Sequence, residues 1–367
     1  MYNEDNRIVV TLDAGGTHFR FSAMRGCEFV TDNYELPTHP NDLELLLRDL
    51  VNGFSYIIEQ LSEKPVAISF AFPGPADYPN GVFPQRLTNF PCFKGGVALK
   101  AFLEKKFNVP VFINNDADLF TYGEALAGAL PQLNEQIKNS GGVKQYKNLL
   151  GFTFGTGFGF GLTTNENMYI GDNCCSEIYC TPSKLGQNII AEEGVSLRAV
   201  LRYYQEVAVD EKSHQYTDTY DIFRIAEGNT DGDKTAAQQA FAKLGEAAGY
   251  AIAQAACMLD GIIVIGGGIS KAYKYYMPSL MKELNAQMQT LGGDTLRRVP
   301  SKVYDLENKS EFETFVKGEP REISIYGTNE TVSVDIQSRL GVMLSRLGTS
   351  KATSIGAYCF ALHNLDC

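Results

Sequence analysis

Short apolar segments, separated by polar and glycine-rich stretches, run through the first part of the chain. Apolar residues lead from Ile8 to Val10 and alternate again at Phe19 and Phe21. This spacing predicts a strand, a turn and a second strand, followed by a third strand that ends near Tyr34.

Helical spacing begins after these strands. Asn41 is the predicted N-cap, and the inward-facing positions recur three to four residues apart at Leu43, Leu46, Leu47, Leu50 and Val51. A buried strand at 66–72, a helix within 95–109, a strand at 111–113 and an alanine-rich helix follow in turn. Three strands, helix, strand, helix, strand and helix is the order of a ribonuclease-H-like α/β unit.

Similar patterns return in the second half of the chain. The elements predicted there are a strand–turn–strand at 148–164, a helix at 234–259, an apolar strand at 261–266, a helix at 271–289 and a C-terminal apolar helix. Between the last two helices, residues 292–345 are polar and carry only weak strand patterns, at 323–326 and 332–336.

The strand–turn–strand at 148–164 repeats the arrangement that opens the chain. This internal duplication is more informative than either turn alone. It predicts an α/β fold of two ribonuclease-H-like domains with a cleft between them. The first domain is predicted at 1–130, joined by the C-terminal helix at about 353–367. The second is predicted at 131–352, with an insertion at about 292–345.

The first turn carries candidate chemistry. Asp13 precedes Gly15, Gly16 and Thr17, so the turn exposes backbone N–H groups that a ligand can reach. A carboxylate beside such a turn suits a phosphate that carries a metal ion. Asp13 is therefore the candidate Mg²⁺ ligand, and Gly15, Gly16 and Thr17 are candidate phosphate contacts. The alternative is an ordinary glycine-rich hairpin.

Two further glycine turns lie at the end or bend of an apolar strand. Their residues are Gly155, Thr156 and Gly157 in one turn, and Gly266, Gly267 and Gly268 in the other. Three such turns in this order predict one nucleotide, with two turns at its phosphates and the third at its adenosine. The alternative is three unrelated loops in a glycine-rich protein.

An acidic corner lies between the first two turns. Asp116 follows the strand 111–113 and begins a helix, at the carboxyl edge of the sheet where α/β folds hold ligands. Because a hydroxyl is a poor nucleophile, a carboxylate that removes its proton would activate it, and Asn115 could fix neighbouring hydroxyls. The alternative for Asp116 is a helix N-cap. Asn114 and Asp118 are interpreted as structural.

Composition narrows the function further. The 367-residue chain has a formal net charge of −11, which disfavours a nucleic-acid partner. It contains no apolar run long enough to span a membrane, and its N-terminus lacks a signal-peptide pattern, so we expect a cytoplasmic protein. The eight cysteines are then expected to be thiols.

The motifs together resemble those of the ROK family (repressors, open reading frames, kinases), within the actin/hexokinase/Hsp70 fold group. The matching pieces are DAGGTHFR at 13–20, FPGPAD at 72–77, NNDAD at 114–118, FGTGFGFG at 154–161, IGGGIS at 265–270 and SIGA at 354–357. The resemblance covers nearly the whole chain. It implies an actin-like ATPase fold and transfer of the ATP γ-phosphoryl group, with Mg²⁺, to a hexose, often at its 6-hydroxyl. ROK relatives are often dimers, so it also implies a homodimer.

The resemblance also implies sugar contacts. Glu177 and Glu192 match two family glutamates, and Asn89 resembles a sugar-contacting asparagine. Each has a plain alternative, a surface carboxylate or a turn asparagine. Cys180 stands where the family has a histidine that contacts the sugar, so the identity of the sugar substrate stays open.

The family's CxCGxxGC zinc motif is missing from this region. Cys174, Cys175 and Cys180 are nearby, but adjacent cysteines rarely ligate one tetrahedral ion together and no fourth ligand is evident. We therefore expect ATP and Mg²⁺ as the bound groups and no zinc.

Two other classes of function remain open. One is a catalytically silent sugar- or nucleotide-binding sensor, which the altered zinc region would suit. The other is a ROK transcriptional repressor, which would carry a winged-helix domain before the first strand. Here that strand begins within about ten residues of Met1 and the charge is acidic, so a sugar kinase is the preferred interpretation.

Overall fold

Two six-stranded sheets form the framework of the computed structural model, which describes residues 2–14 and 18–367. The strands are β1 Val9–Ala14, β2 His18–Arg25, β3 Glu28–Phe29, β4 Tyr34–Pro37, β5 Ala67–Ala71, β6 Val82–Phe83, β7 Val97–Ala98, β8 Val111–Asn114, β9 Asn148–Phe154, β10 Phe158–Thr164, β11 Asn167–Tyr169, β12 Pro182–Ser183, β13 Gly186–Ile190, β14 Ile262–Gly266, β15 Gln287–Gln289, β16 Thr295–Arg297, β17 Lys302–Asp305, β18 Pro320–Ser324, β19 Thr331–Asp335 and β20 Arg339–Leu344. The helices are α1 Leu43–Gln60, α2 Leu99–Phe107, α3 Asp116–Leu126, α4 Ala129–Asn139, α5 Leu197–Val207, α6 Thr219–Glu227, α7 Lys234–Leu259, α8 Tyr273–Leu284, α9 Lys309–Lys317 and α10 Thr349–Asp366.

The sheets repeat one plan. The first has the order β3-β2-β1-β5-β8, with β4 paired to β2. In it β1 runs antiparallel to β2 and parallel to β5, which is parallel to β8. The second has the order β11-β10-β9-β14-β20-β17, and β14 runs parallel to β9 and β20. The α/β class predicted from the alternating patterns is confirmed.

Two compact units divide the chain. Unit 1 comprises Met1–Gly128, Gly161–Ser176 and Arg346–Cys367, and unit 2 comprises Ala129–Phe160 and Glu177–Ser345. This division differs from the predicted domains at Gly161–Ser176 and at 346–352, which the sequence analysis placed in the second domain. Met168 packs against the apolar cluster formed by α3 and α10. This contact explains why Gly161–Ser176 belongs to unit 1.

Several element bounds differ from the prediction. Asp42, not Asn41, caps α1, because its side chain accepts the N–H of Leu45 at 3.0 Å. The predicted helix 271–289 is wrong at both ends. A 3₁₀ turn, Gly268–Ala272, precedes α8, and Gln287–Gln289 forms a hairpin strand with β16. Within 292–345, the weak patterns correspond to the β18–β19 hairpin.

Aromatic side chains fill the core of unit 1 between the first sheet and its helices. Phe72 stacks on Phe90 and Phe93, with ring centroids 4.8 and 5.6 Å apart, and Phe19 stacks on Phe90 at 6.1 Å. All four rings are fully buried. This cluster fixes the loop that carries the candidate residue Asn89.

Helices α3 and α10 of unit 1 pack closely because glycines face each other. A Cβ on Gly356 would lie 1.9 Å from the carbonyl oxygen of Leu119, and one on Gly123 would lie 2.0 Å from that of Ala352. No side chain fits at either position, so the backbones touch.

No helix among residues 2–14 and 18–367 has the length and apolar character needed to cross a bilayer.

The Gly356→Ala variant tests this helix contact. Alanine normally favours a helix, but here its methyl group would force α3 and α10 apart. We expect the free energy of unfolding to fall by about 1–3 kcal/mol in urea titrations. Gly95→Ala is the control, because a Cβ there meets nothing within 4 Å. Equal effects of the two substitutions would contradict the tight crossing.

Candidate active site

The candidate catalytic corner lies where β8 passes into α3. Asn115 is the N-cap of α3, and its Oδ1 accepts the N–H of Ala117 at 2.8 Å. The Asp116 Oδ1 also accepts this N–H, at 2.9 Å. Since Asn115 has the extended backbone of a cap, the capping role that was the alternative for Asp116 belongs mainly to Asn115.

Asp116 is open to solvent at the start of α3. Surrounding protein displaces water from the carboxylate and raises its pKa, and the negative charge of Asp13 adds to the rise, while the Ala117 N–H opposes it. The Asp116 carboxylate is accessible to a substrate, and its raised pKa makes it a stronger base. It is therefore suited to accept a proton.

Asn114 is buried just before this corner. Its side chain is 2% exposed, and its Nδ2 has no hydrogen-bond partner among the described residues. Its carbonyl accepts the N–H of Phe72, which ties the ends of β5 and β8 together. This contact agrees with the structural role expected for Asn114.

Asp13 lies near the end of β1, half-buried, and pairs across the ladder with Arg20. The Arg20 Nε donates to Glu35 Oε1 at 2.7 Å, so Arg20 is engaged on β4. The negative charge of Asp13 contributes to the raised pKa of Asp116, after desolvation. Carboxylate oxygens are the ligands that Mg²⁺ prefers, so Asp13 fits the implied metal.

The candidate phosphate contacts Gly15, Gly16 and Thr17 lie outside the described residues. The turn at Gly155, Thr156 and Gly157 is described; it lies in unit 2, between β9 and β10. The Gly155 N–H bonds the Gly157 carbonyl at 3.1 Å. A Cβ on Gly155 would meet nothing within 4 Å, so its backbone faces open space that a phosphate could occupy.

The third turn lies directly against the second. Gly267 has φ +88°, and a Cβ there would stand 2.2 Å from the carbonyl oxygen of Phe154. Only glycine fits, and the contact brings Gly266, Gly267 and Gly268 beside the strand that leads into the 155–157 turn.

A cavity of about 180 Å³ opens beside Gly268 in unit 2. Aromatic and polar side chains from α6, α7 and the 3₁₀ turn line it, including Tyr220, Phe223, Phe241 and Lys271. Sequence reasoning missed these residues, because α6 carries no motif and only the fold brings it to Gly268.

The candidate sugar contacts are distributed over both units. In unit 1, Asn89 is exposed in a loop between buried Leu87 and Phe90. In unit 2, Glu177 is half-buried, Cys180 is exposed, and the Glu192 carboxylate accepts the N–H of Phe158.

No group of three or more His, Cys, Asp or Glu side chains within residues 2–14 and 18–367 is arranged to hold a metal ion. In this part of the chain all eight cysteines are free, Cys174, Cys175 and Cys180 among them.

Comparison with known proteins decides the family. The ROK family model matches residues 9–304. The chain belongs to the ROK family. It is similar to a glucokinase of Parabacteroides distasonis, with a TM-score of 0.90 and 48% identity over 99% of both chains. It is also 26% identical to the glucokinase of Halalkalibacterium halodurans, over 79% of this chain and 92% of that one.

A ROK family glucokinase from Streptomyces griseus, solved in complex with glucose and AMPPNP, shares the fold. Its TM-score is 0.60 at 16% identity, over 96% of this chain and 98% of that one. These similarities confirm the predicted family, the two-domain actin-like ATPase fold and the sugar-kinase class. The ROK repressor is less favoured, because the end-to-end similarity at 48% identity is to a glucokinase.

The raised pKa of Asp116 predicts a gain in stability on its neutralisation. Because the folded-state pKa lies above the ordinary value of 3.8, the ionised carboxylate destabilises the fold at neutral pH. The penalty builds as the pH rises from 3.8 and is complete above the folded-state pKa. We expect Asp116→Asn to raise the free energy of unfolding at pH 7, measured in urea, and to lose this gain near pH 3.5. A variant that is less stable at pH 7 would contradict the shift.

Proposed function

We propose that the chain transfers the γ-phosphoryl group of ATP to the 6-hydroxyl of a hexose, with glucose as the first candidate. The observation that carries the proposal is the arrangement at the start of α3, where Asn115 caps the helix and leaves Asp116 solvent-accessible with a raised pKa. The similarity to the Parabacteroides distasonis glucokinase supports the substrate class.

Asp116 is the proposed general base. Its carboxylate takes the proton of the sugar hydroxyl as that oxygen attacks the γ-phosphorus. The bond from the γ-phosphorus to the β-phosphate oxygen breaks, and ADP leaves. The raised pKa brings the basicity of Asp116 closer to neutral pH, which favours proton transfer.

The glycine turns are proposed to orient the phosphates. The backbone N–H groups at 15–17, 156 and 157 would meet phosphate oxygens, Gly155 would leave room beside them while its own N–H stays bonded within the turn, and Asp13 would hold Mg²⁺. Bound Mg²⁺ supplies positive charge that offsets the negative charge developing on the phosphates.

The cavity beside Gly268 is proposed to hold the adenosine. Gly266 to Gly268 allow close approach of the backbone, and Tyr220, Phe223 and Phe241 supply aromatic surface for a purine. Lys271 at the rim supplies a donor to ribose or base.

Asn89, Asn115 and Glu177 are the proposed sugar contacts. The sequence predicted the same for Glu192. Cys180 is exposed where the family resemblance implies a histidine, so one donor to the sugar is replaced by a thiol. A panel of hexoses and N-acetylhexosamines, assayed with ATP and Mg²⁺ for ADP production, tests the substrate class. Absence of sugar-dependent ADP production would favour the silent sensor instead.

The homodimer and the cytoplasmic location stay predictions. Sedimentation of the purified chain would test the first, and cell fractionation the second.

The Asp116→Asn variant tests the base directly. Asparagine keeps the shape and can bind hydroxyls but accepts no proton at this pH, so we expect kcat to fall about 10²- to 10⁴-fold. The Kd for glucose from calorimetry should change less than about threefold, since hydrogen bonding is retained. Asp42→Asn, the same chemical change at the N-cap of α1, is the control and should keep full activity. Near-normal turnover by Asp116→Asn would remove Asp116 from the reaction.

The Tyr220→Ala variant tests the adenosine cavity. Tyr220 is 61% exposed and lines the cavity, so its loss removes aromatic surface while the core stays intact. Because stacking on an aromatic ring is worth about 1–3 kcal/mol per base, we expect the KM for ATP to rise about fivefold or more at unchanged kcat. Tyr326→Ala, on the exposed β18–β19 hairpin, is the control. An unchanged KM for ATP would place the adenosine elsewhere.

A further inference from the structure

Two buried thiols meet where the turn between β2 and β3 lies against the C-terminal helix. The Sγ atoms of Cys27 and Cys359 are 3.9 Å apart, although the two residues are 332 positions apart along the chain. Cys27 is 6% exposed and Cys359 is 1% exposed. Both residues belong to unit 1 and to the apolar cluster around α10. The phosphoryl transfer proposed above uses neither thiol.

The residues on either side of Cys27 also hold this turn on α10. The Gly26 N–H donates to the hydroxyl of the buried Tyr358 at 2.9 Å. The Lys351 Nζ lies 3.1 Å from the Glu28 Oε2 and forms a surface ion pair with it. Because contacts on both sides fix the turn, the two sulfurs meet in a defined arrangement.

The backbone of Cys27 is unusual for its residue type. Gly26 and Cys27 have φ angles of +57° and +64°, and they form the two-residue turn that joins Arg25 to its strand partner Glu28. Turns of this kind favour Gly, Asn and Asp, because other side chains are strained at positive φ. Cys27 therefore places its sulfur against Cys359 at a cost in backbone strain.

The two thiols differ in acidity. The Cys359 thiol donates a hydrogen bond to the Cys27 sulfur, and this bond lowers the pKa of Cys27 although burial opposes the change. The same hydrogen bond, together with burial, raises the pKa of Cys359 well above its ordinary value. Because the thiolate is the reactive form of cysteine, Cys27 is suited to react first and Cys359 to react second.

We propose that Cys27 and Cys359 form a site of reversible oxidation, at which hydrogen peroxide converts the two thiols into a disulfide. The Cys27 thiolate attacks one peroxide oxygen, the O–O bond breaks, and a sulfenic acid and hydroxide form. The hydroxide and the proton released by Cys27 give the first water.

The second step closes the bond. The Cys359 sulfur attacks the sulfenic sulfur, the S–S bond forms and the S–O bond breaks. The sulfenic hydroxyl leaves with the Cys359 proton as the second water. The two sulfurs together lose two electrons, which reduce the peroxide.

The geometry allows this bond with little movement. A disulfide has an S–S distance of about 2.0 Å, so the two sulfurs have to approach by roughly 2 Å. Gly356, one turn before Cys359, holds α10 against the backbone of α3 at Leu119. Both residues of β3 are exposed, so we expect the β2–β3 turn to move toward the helix.

The disulfide would stabilise the fold by restricting the unfolded chain. A link between Cys27 and Cys359 closes a loop of most of the sequence, and longer loops remove more unfolded conformations. The folded chain already holds the sulfurs in contact, so it loses little freedom. In the cytoplasm, where we expect this protein, such a bond would form during exposure to peroxide and be reduced afterwards.

The test treats the full chain with hydrogen peroxide and maps its peptides by mass spectrometry without reduction. We expect a peptide pair that links Cys27 to Cys359. The Tm of the oxidised chain should rise by about 5 °C or more and return to its starting value in dithiothreitol. Neither readout depends on turnover, so the result is independent of the substrate.

Two variants remove one partner each. Cys27→Ala and Cys359→Ala should form no linked peptide pair and should show no rise in Tm on oxidation. Each variant is compared with its own reduced form, so a loss of stability caused by the substitution itself does not affect the comparison.

Cys257→Ala is the matched control. Cys257 is an exposed thiol whose Sγ lies 3.1 Å from the Arg298 carbonyl oxygen. Its removal should leave both the linked peptide pair and the rise in Tm intact.

Four results would overturn the proposal. The first is a sulfinic acid at Cys27 with Cys359 still reduced, which would mean that the second thiol does not reach the first. The second is a disulfide from either residue to an exposed cysteine, which would mean that the fold opens before oxidation. The third is the survival of both thiols under conditions that oxidise the exposed cysteines. The fourth is a linked chain whose Tm does not rise.

Discussion

The contact between α3 and α10 determines where the chemistry of unit 1 can lie. Gly123 and Gly356 let the two backbones touch, and this fixes the axis of α3 against the sheet. Because Asp116 is the first residue of that helix, its carboxylate is positioned by contacts made further along α3, at Leu119 and at Gly123 toward the helix's other end. At that end the buried Glu124 accepts the N–H groups of Arg346 and Leu347, both at 3.0 Å, and ties α3 to the start of the C-terminal segment.

Bare backbone has a second use in this protein, at the glycine turns. Glycine suits these turns for two different reasons. At Gly155 the missing side chain leaves open space for a ligand. At Gly267 the space is filled by the Phe154 carbonyl, and this contact joins two turns. Gly157 belongs to both groups, since it adjoins the open turn and leaves room for Glu192. Composition and spacing alone could not separate these reasons.

The region without the zinc motif is held by other interactions. The β12–β13 hairpin lies there, and Lys184 at its tip bonds Glu246 of α7 and Glu283 of α8, both at 2.5 Å. Glu283 also binds Arg298, whose guanidinium lies 4.3 Å from the ring centroid of Tyr250. Glu283 is mostly buried, so this network is less screened by solvent than a surface pair would be. Ion pairs to two helices thus anchor the segment that precedes Glu192.

Much of the fold follows from periodicity, because apolar spacing reports which face of an element is buried. The sequence predicted α7 at its observed bounds and the strands that flank the first two glycine turns, and it singled out Asp116 at the end of β8. It erred where local patterns were ambiguous. Residues 287–289 continue the polar-apolar spacing of α8 but pair with β16, and Asp42 outcompetes Asn41 because its side chain reaches Leu45.

The sequence by itself determined the elements, the family and the residue types that suit phosphoryl transfer, since these depend on local pattern. Only the tertiary structure decided which neighbours those residues have. It assigned the cap to Asn115 and so left Asp116 accessible, brought α6 to Gly268, and turned Glu192 toward Phe158. Such contacts join residues that are far apart along the chain or on different elements, and no local spacing encodes the direction in which a side chain points once the chain has packed.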